Sequence, residues 1–426
     1  MISILNPPFA ALRLLLVLTT EMGLIASLGS SITIFRESRP MPRLPQSTSA
    51  VLNTARPRLL LLDCLRLTAA MGVVLYHYTA FAGSEFWGVP AKEVFPRLSG
   101  ITAYGALGVQ LFFIISGFVI LMSAYGRSVG QFAASRISRL FPAYWTAVIL
   151  AAVLLLVISP GNLNTVSWAD AALNLTMLQQ AVNVPSLDGV YWTLWVELLF
   201  YVTIALFLWR GMTERKLLAF IFLWPLLGML SIQADAEMVQ ALLIPVYSPL
   251  FAVGMGIYLI HAYGHNLVRW LAVAVNVLLS CHQTSVGFLP AMSHSTGQDL
   301  SLGVMWLAIL AFVAVVALIT TTPLRHRGWK WMSVAGALTY PLYLVHEMWG
   351  WWIIRTVHHA LGPWPSVALA AAFAVTLAWL IHRLIERRFA SPFKKALSRG
   401  LSPAPVHPDR SLSDANATPV MSSSLS

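Results

Sequence analysis

An arginine and a histidine share one apolar stretch of this chain, and both could take part in chemistry. Arg66 and His77 lie eleven residues apart within the run 59–82, which is otherwise apolar enough to cross a bilayer. Eleven residues are almost three turns of α-helix, so both side chains fall on one face, about 16 Å apart along the axis. Ionisable groups inside a membrane are costly unless they face protein or a wet cavity, so each is a candidate functional residue.

The composition indicates the environment of these residues. Of 426 residues, 58% are apolar and 10% charged, which leaves too little polar surface for a soluble domain. Apolar runs of transmembrane length predict ten helices, at about 61–82, 101–122, 141–158, 192–210, 217–234, 239–260, 268–281, 302–321, 332–354 and 364–382. We therefore predict an all-α fold, a polytopic transmembrane helix bundle of about ten core spans in a lipid bilayer. The apolar residues 9–35 could add an N-terminal span or form a signal-like segment.

The distribution of charge predicts the orientation of the bundle. If the segment before residue 61 is cytoplasmic, Lys and Arg collect in the inner stretches, while the outer ones hold only Lys92, Arg97 and Arg355. Both ends of the ten-span core are therefore expected in the cytoplasm, the C-terminus included. The net charge of +11 is then interpreted as a topology signal, and we expect no nucleic-acid partner.

Three parts are predicted along the chain. Residues 1–58 form an N-terminal extension with an apolar segment and an Arg/Pro-rich linker, and residues 59–390 form the membrane domain. Residues 391–426 form a cytoplasmic tail that is rich in Ser and Pro and is expected to be disordered. Cys64 and Cys281 belong to different spans and ends of the membrane, so no disulfide is expected, and the histidine spacing predicts no metal site.

Two histidines and a carboxylate are expected in the outer half of the membrane. His77 lies beyond the middle of the first span, Glu197 lies near the outer end of the fourth, and His346 lies in the ninth beside Glu347. A neutral imidazole can take a proton from a hydroxyl near neutral pH, so His77 is a candidate general base. The alternative for His77 is a hydrogen bond that holds two helices together, and for Glu197 a buried ion pair between helices.

Two arginines on the inner side are suited to binding phosphate. Arg136 and Arg139 lie one turn apart where the third helix begins, and Arg66 could join them from the first helix. The alternative is charge that only sets topology. Ser116 and Gly117, in the middle of the second span, permit close helix approach or leave room for a ligand. A phosphate site near the cytosol and a base deeper in the membrane would suit an anionic donor such as acyl-CoA.

The motifs taken together resemble the acyltransferase-3 family of membrane acyltransferases, which includes O-acetylases of bacterial polysaccharides, lipopolysaccharide and peptidoglycan. The similarity runs from about Leu61 to Arg388. It rests on five motifs in order, namely Leu-Asp-Cys-Leu-Arg (62–66) with Leu-Tyr-His (75–77), Gly-Val-Gln-Leu-Phe-Phe-Ile-Ile-Ser-Gly-Phe (108–118), Arg136 and Arg139 with Tyr-Trp (144–145), the Trp-to-Tyr segment 192–201, and Thr339-Tyr340 with Tyr343 and His346. Cys64, Leu67 and Thr339 depart from the usual residues, which affects local packing more than chemistry.

The resemblance implies a function and roles. It implies a multi-pass protein of the bacterial inner membrane that moves an acyl group, expected to be acetyl, from acyl-CoA to a hydroxyl of a surface glycan or glycoside. His77 would be the catalytic base and Arg66 would assist, with Glu197 and His346 also catalytic. Acyl-CoA, a co-substrate, would be bound by a set of four residues, Arg136, Arg139, Ser116 and Tyr340. The identity of the acyl group, the acceptor and the oligomeric state stay open.

Other functions remain open on the sequence alone. Transfer could run directly, through attack of the acceptor hydroxyl, or through an acyl-enzyme. A proton-coupled transporter would instead use His77, Glu197 and His346 as a proton relay. A purely structural membrane protein would leave this many ionisable residues inside the membrane unexplained.

Overall fold

A computed structural model describes residues 59–161 and 163–401, and the predicted N-terminal extension 1–58 lies outside them. The described residues are helical and include no β-strand. Ten long helices follow one another along the chain: α1 (Leu60–Thr79), α2 (Ser99–Ala124), α3 (Val129–Ile158), α4 (Gly189–Arg210), α5 (Glu214–Gln233), α6 (Glu237–Tyr263), α7 (Leu267–Thr296), α8 (Leu302–Thr321), α9 (Lys330–Leu361) and α10 (Pro363–Gly400). Every predicted span falls on one of these helices.

Nine of the ten helices, all within the described residues, are long and apolar enough to cross a membrane. The exception is α9, which contains the predicted span 332–354 and carries Lys330, His346, Glu347 and Arg355. With 32 residues it is about 48 Å long, more than the roughly 30 Å of a hydrocarbon core. The polar residues of α9 lower its hydropathy, and of these four His346 and Glu347 are buried whereas Lys330 is exposed. The molecule is thus a polytopic helical membrane protein.

Two boundaries differ from those predicted. The helix that contains the short span 268–281 continues to Thr296, so it is long enough to cross. The helix that contains the last predicted span, 364–382, continues to Gly400 and so includes the first residues of the predicted tail. Its final segment packs on α3, where the rings of Phe393 and Trp145 lie 5.8 Å apart, and this contact explains why the polar sequence is helical there. Residues 402–426 of the predicted tail lie outside the described residues.

Glycines allow α2 and α6 to cross in direct contact. A Cβ on Gly117 would overlap the backbone carbonyl of Phe251, and one on Gly254 would overlap that of Ile114. Small residues at a helix crossing let backbones approach closely, which is how helices gain packing energy in a membrane. This explains Gly117, whereas its neighbour Ser116 faces another way and lines a cavity.

The helices α1 and α9 are held together by hydrogen bonds from aromatic side chains. The Tyr78 hydroxyl donates to the backbone carbonyl of His346 at 2.7 Å, and Trp351 Nε1 donates to the carbonyl of His77 at 3.0 Å. Gly350 makes room for the first bond, because a Cβ there would overlap the Tyr78 ring. These two bonds fix the register of α1 against α9 at the level of the two histidines.

Candidate active site

The two histidines singled out in the sequence are in direct contact. His77 Nδ1 lies 3.0 Å from His346 Nε2, within hydrogen-bonding distance. Both rings are buried, with His346 fully shielded and His77 9% exposed. The pair therefore joins the last turn of α1 to the middle of α9. Sequence depth alone predicted that the histidines share a level, and the packing adds the contact.

The surroundings of His346 determine which nitrogen of His77 is free. His346 Nδ1 lies 2.9 Å from the backbone carbonyl of Tyr343, which can only accept a hydrogen bond. In a neutral ring the proton of His346 is then on Nδ1, so Nε2 must accept, and His77 Nδ1 is the donor. His77 Nε2 keeps its lone pair. This tautomer, assigned from the hydrogen-bond network, is the one that a general base requires.

The carboxylate beside the histidines is Glu347, not Glu197. Glu347 Oε1 lies 4.0 Å from His77 Nε2, which is close enough for an ion pair and too far for a hydrogen bond. The Glu347 side chain is buried and makes hydrogen-bonding contact with Asp188 from the segment before α4. The sequence analysis assigned no role to either acid. It predicted only that Asp188 lies in an outer loop and that Glu347 lies in the outer half of the membrane.

Asp188 is 1% exposed and is held by backbone groups from two parts of the chain. Its Oδ1 accepts from Val190 N at 3.2 Å, and its Oδ2 accepts from Met348 N at 3.3 Å. Burial raises the pKa of the Asp188 carboxyl to about 6, while these hydrogen bonds and the contact with Glu347 oppose the rise. Asp188 thereby connects the entry of α4 to the turn of α9 that carries Glu347.

A cavity between α1, α2, α3, α4 and α9 holds the remaining predicted site residues. It encloses about 770 Å³ of empty space, part of it open to solvent. All six of the other predicted site residues line it: Arg66, Ser116, Arg136, Arg139, Glu197 and Tyr340. Three arginines and one glutamate leave an excess of positive charge, and apolar side chains such as Val109 and Ile120 form much of the rest of the wall. This combination suits a ligand with phosphate groups and an apolar or neutral arm.

Arg136 has features of an anion-binding residue. It is 8% exposed, and its guanidinium carbon lies 5.8 Å from the ring centres of both Phe132 and Tyr201. No hydrogen-bond partner reaches its Nε among the described residues. An unsatisfied donor on a buried cation is costly, so a bound anion would be stabilising there. Arg139 is exposed and Arg66 is half-buried, so the three arginines span the wall from the surface inward.

Glu197 and Ser116 form a pair of their own in this cavity. The Ser116 hydroxyl donates to Glu197 Oε1 at 2.9 Å. Tyr340 also lines the cavity, and its hydroxyl donates a hydrogen bond to the backbone carbonyl of Leu140 at 3.2 Å, which connects α9 to α3. Sequence depth predicted only that Glu197 shares a level with the two histidines, and the structure gives it Ser116 as a hydrogen-bond partner in the chamber.

Tyr343 separates the cavity from the histidine pair. It lines the cavity, and its ring centre lies 5.7 Å from that of His346. Its hydroxyl lies 3.0 Å from Thr193 Oγ1, on the opposite wall. His77 and His346 do not line the cavity as it stands. The site therefore consists of a cationic chamber and a buried histidine pair, with one tyrosine between them.

Fold and site together define a multi-pass helical membrane protein with a buried histidine pair next to a cationic chamber. A family model described as an acyltransferase domain matches residues 59–383. The chain belongs to this acyltransferase-3 family, which confirms the resemblance seen in its motifs. The histidine pair, the three arginines and Glu197 all fall inside the matched range.

One curated relative is acyltransferase MdmB of Streptomyces mycarofaciens. It is 29% identical to this chain over 168 residues, which are 38% of this chain and 42% of the relative. The chain thus matches less than half the length of that relative. No solved structure matches the chain at a significant level.

Proposed function

We propose that this protein is a membrane O-acyltransferase that moves an acyl group, acetyl in the first instance, from cytosolic acyl-CoA to a hydroxyl of a surface glycan or glycoside. The observation that carries the proposal is the hydrogen bond between His77 and His346, because it leaves His77 Nε2 unprotonated beside a chamber lined by three arginines. Membership of the acyltransferase-3 family supports the reaction class.

The donor would enter the chamber from the side that carries Arg139. The arginines Arg66, Arg136 and Arg139 would bind the phosphates of CoA, since guanidinium groups suit phosphate oxygens. The acyl thioester would extend toward Tyr343, with the uncharged arm of CoA along the apolar wall. Movement of the Tyr343 side chain would bring the thioester to His77.

The chemical step would then need one base. His77 Nε2 takes the proton of the acceptor hydroxyl as its oxygen attacks the thioester carbon. The carbon–sulfur bond breaks when the tetrahedral intermediate collapses, and the CoA thiolate takes the proton back from His77. His346 keeps the ring of His77 in the required tautomer through the 3.0 Å hydrogen bond, much as the acid of a catalytic triad orients its histidine.

The test is label transfer in membranes. Membranes that contain wild-type protein, His77→Ala or the exposed control His294→Ala would be incubated with radiolabelled acetyl-CoA and an extract of the host's surface glycans. We expect label in a glycan fraction with wild type and with His294→Ala, and none with His77→Ala. Equal transfer by His77→Ala at equal membrane insertion would overturn the role of the base.

Transport is the competing function. A relay through His77, Glu197 and His346 would require these groups to form a chain, whereas Glu197 bonds Ser116 in the chamber. Solute flux driven by a pH gradient, without covalent labelling from acetyl-CoA or succinyl-CoA, would favour the transporter.

A further inference from the structure

Two buried acids meet at the free face of His77, and the base reaction alone does not account for them. Asp188 and Glu347 are 1% and 5% exposed, and their carboxyl groups are in hydrogen-bonding contact. Two carboxylates cannot hydrogen-bond each other, so one of the pair must carry a proton. A shared proton leaves the pair with a single negative charge, as in other closely spaced carboxyl pairs.

The hydrogen bonds indicate where the proton lies at rest. Both oxygens of Asp188 accept backbone N–H groups, which favour its charged form. In contrast, Glu347 Oε2 is buried and no donor of the described residues reaches it. A proton on Glu347 Oε2 resolves this, because that oxygen then becomes the donor to Asp188. At rest Glu347 is neutral and the charge lies on Asp188.

The backbone makes room for this contact. Gly189 follows Asp188 directly, and a Cβ at Gly189 would lie 2.6 Å from Glu347 Oε1 and 2.9 Å from Oε2. Any other residue at this position would force the Glu347 carboxyl or the backbone of residue 189 to shift. The titratable groups that face the pair from the surrounding helices, besides His77, are all tyrosines: Tyr76 and Tyr78 from α1, Tyr144 from α3, Tyr191 from the start of α4, and Tyr343 from α9.

We propose that Asp188 and Glu347 are a proton-sharing pair of positioning residues that stabilises the charged form of His77 during acyl transfer, a role that rests on the proposed function. When His77 Nε2 takes a proton from the acceptor, the proton of Glu347 moves to Asp188. The negative charge then lies on Glu347, 4.0 Å from His77 Nε2. Both protons return when CoA leaves, so the pair is neither consumed nor recharged in a cycle.

Kinetics of a double-mutant cycle test the role. Glu347→Gln keeps the shape and the hydrogen bond but cannot carry the charge, and Asp188→Asn cannot receive the proton. We expect each to lower kcat about 10- to 100-fold with little change in the KM for acetyl-CoA, because the pair acts only when charge develops on His77. The double variant is expected to lose no more than the worse single variant, since the two acids act as one unit.

A swap of the two acids guards against simple misfolding. The variant Asp188→Glu with Glu347→Asp keeps both carboxyls and the summed chain length, so it is expected to restore part of the activity. Wild-type kcat in Glu347→Gln would contradict the proposal. Additive losses in the cycle, or no rescue by a swap variant that inserts and unfolds like wild type, would do the same.

A spectroscopic measurement separates this inference from the proposed function. The infrared spectrum of the purified protein near neutral pH is expected to show the carbonyl band of a buried protonated carboxyl, which Glu347→Gln removes and Glu197→Gln leaves in place. The band does not depend on catalysis. If it is present in a protein that transfers no label, the acyltransferase proposal is refuted while the proton-sharing pair is supported. Its absence from an active wild type would refute the pair alone.

Discussion

His77 Nδ1 lies 3.0 Å from His346 Nε2, so one histidine sets the tautomer of the other. The two rings come from helices that are far apart in the sequence. Hydrogen bonds from the side chains of Tyr78 and Trp351 to backbone carbonyls also join α1 and α9 next to the pair. The hydrogen bond from Nδ1 keeps the ring of His77 from rotating, so Nε2 remains the nitrogen without a proton. Under the proposed mechanism, His346 is therefore needed to keep His77 in the tautomer that can act as a base.

Replacement of His346 should therefore depend on whether the new side chain accepts a hydrogen bond. His346→Gln can still accept from His77 Nδ1, whereas His346→Leu leaves that donor buried and unpaired. We expect His346→Leu to lose about 100-fold or more in kcat and His346→Gln to lose clearly less. Initial rates of label transfer in membranes measure both, and equal losses in the two variants would show that the hydrogen bond is not the reason for the effect.

Arg136 should act on the nucleotide end of the donor. We expect Arg136→Gln to raise the KM for acetyl-CoA about tenfold or more, because a charge-assisted contact to phosphate is lost. The same variant should use acetyl-pantetheine, which has no nucleotide phosphates, as well as wild type does. Arg215→Gln is the control, since Arg215 is an exposed arginine near the start of α5 and does not line the chamber. An equal defect with both donors would place Arg136 in another role.

Ser116 distinguishes direct transfer from an acyl-enzyme. Its hydroxyl donates to Glu197, the arrangement that would activate a nucleophile. Direct transfer predicts that Ser116→Ala keeps its rate within a few fold, while passage of the acyl group through Ser116 predicts complete loss. Acid-quenched protein from a labelling reaction should carry no stable label under direct transfer. Label that is found on wild type and missing from Ser116→Ala would establish the relay.

Gly117→Ala should destabilise the crossing of α2 and α6. The added methyl would overlap the carbonyl of Phe251 and force the backbones apart. We expect a lower midpoint of thermal unfolding in detergent. The matched control is Gly303→Ala in α8, where a Cβ meets its nearest atom at 3.8 Å and alanine is the better helix former. A midpoint unchanged in Gly117→Ala would show that the crossing can relax.

The thermal stability of the protein should depend on the pH through Asp188. Burial raises the pKa of this carboxyl from 3.8 to about 6, so the folded protein binds the proton more tightly than the unfolded chain. The contribution of Asp188 to stability is complete below about pH 4 and is lost as the pH rises through about 6. Asp188→Asn should flatten this part of the profile. The midpoint of thermal unfolding would be measured from pH 4 to 8 for both proteins. If Asp188→Asn shows the same pH dependence as wild type, another group is responsible.

The sequence was sufficient for much of the fold, because apolar runs of membrane length leave few alternatives to helices. It also identified six of the residues that line the chamber, since arginines, Ser116 and Glu197 stand out against an apolar background. Asp188 was different, as its partner Met348 is 160 residues away and the contact exists only after α4 and α9 have packed. The sequence also did not show which carboxylate lies next to the histidines, because depth along a helix does not tell which way a side chain points.

The helix α9 carries groups for both parts of the site. Tyr340 and Tyr343 face the chamber, and His346 and Glu347 face α1, within two turns of one another. A rotation of α9 or a one-residue insertion in it that improved binding of the proposed donor would displace His346 and Glu347 at the same time. Variants with a new acceptor should therefore be sought in the segments outside α9, for example between α1 and α2. The length of the acyl donor that the chamber accepts is easier to change by substitutions in α2, because a side chain there can change without moving the histidines.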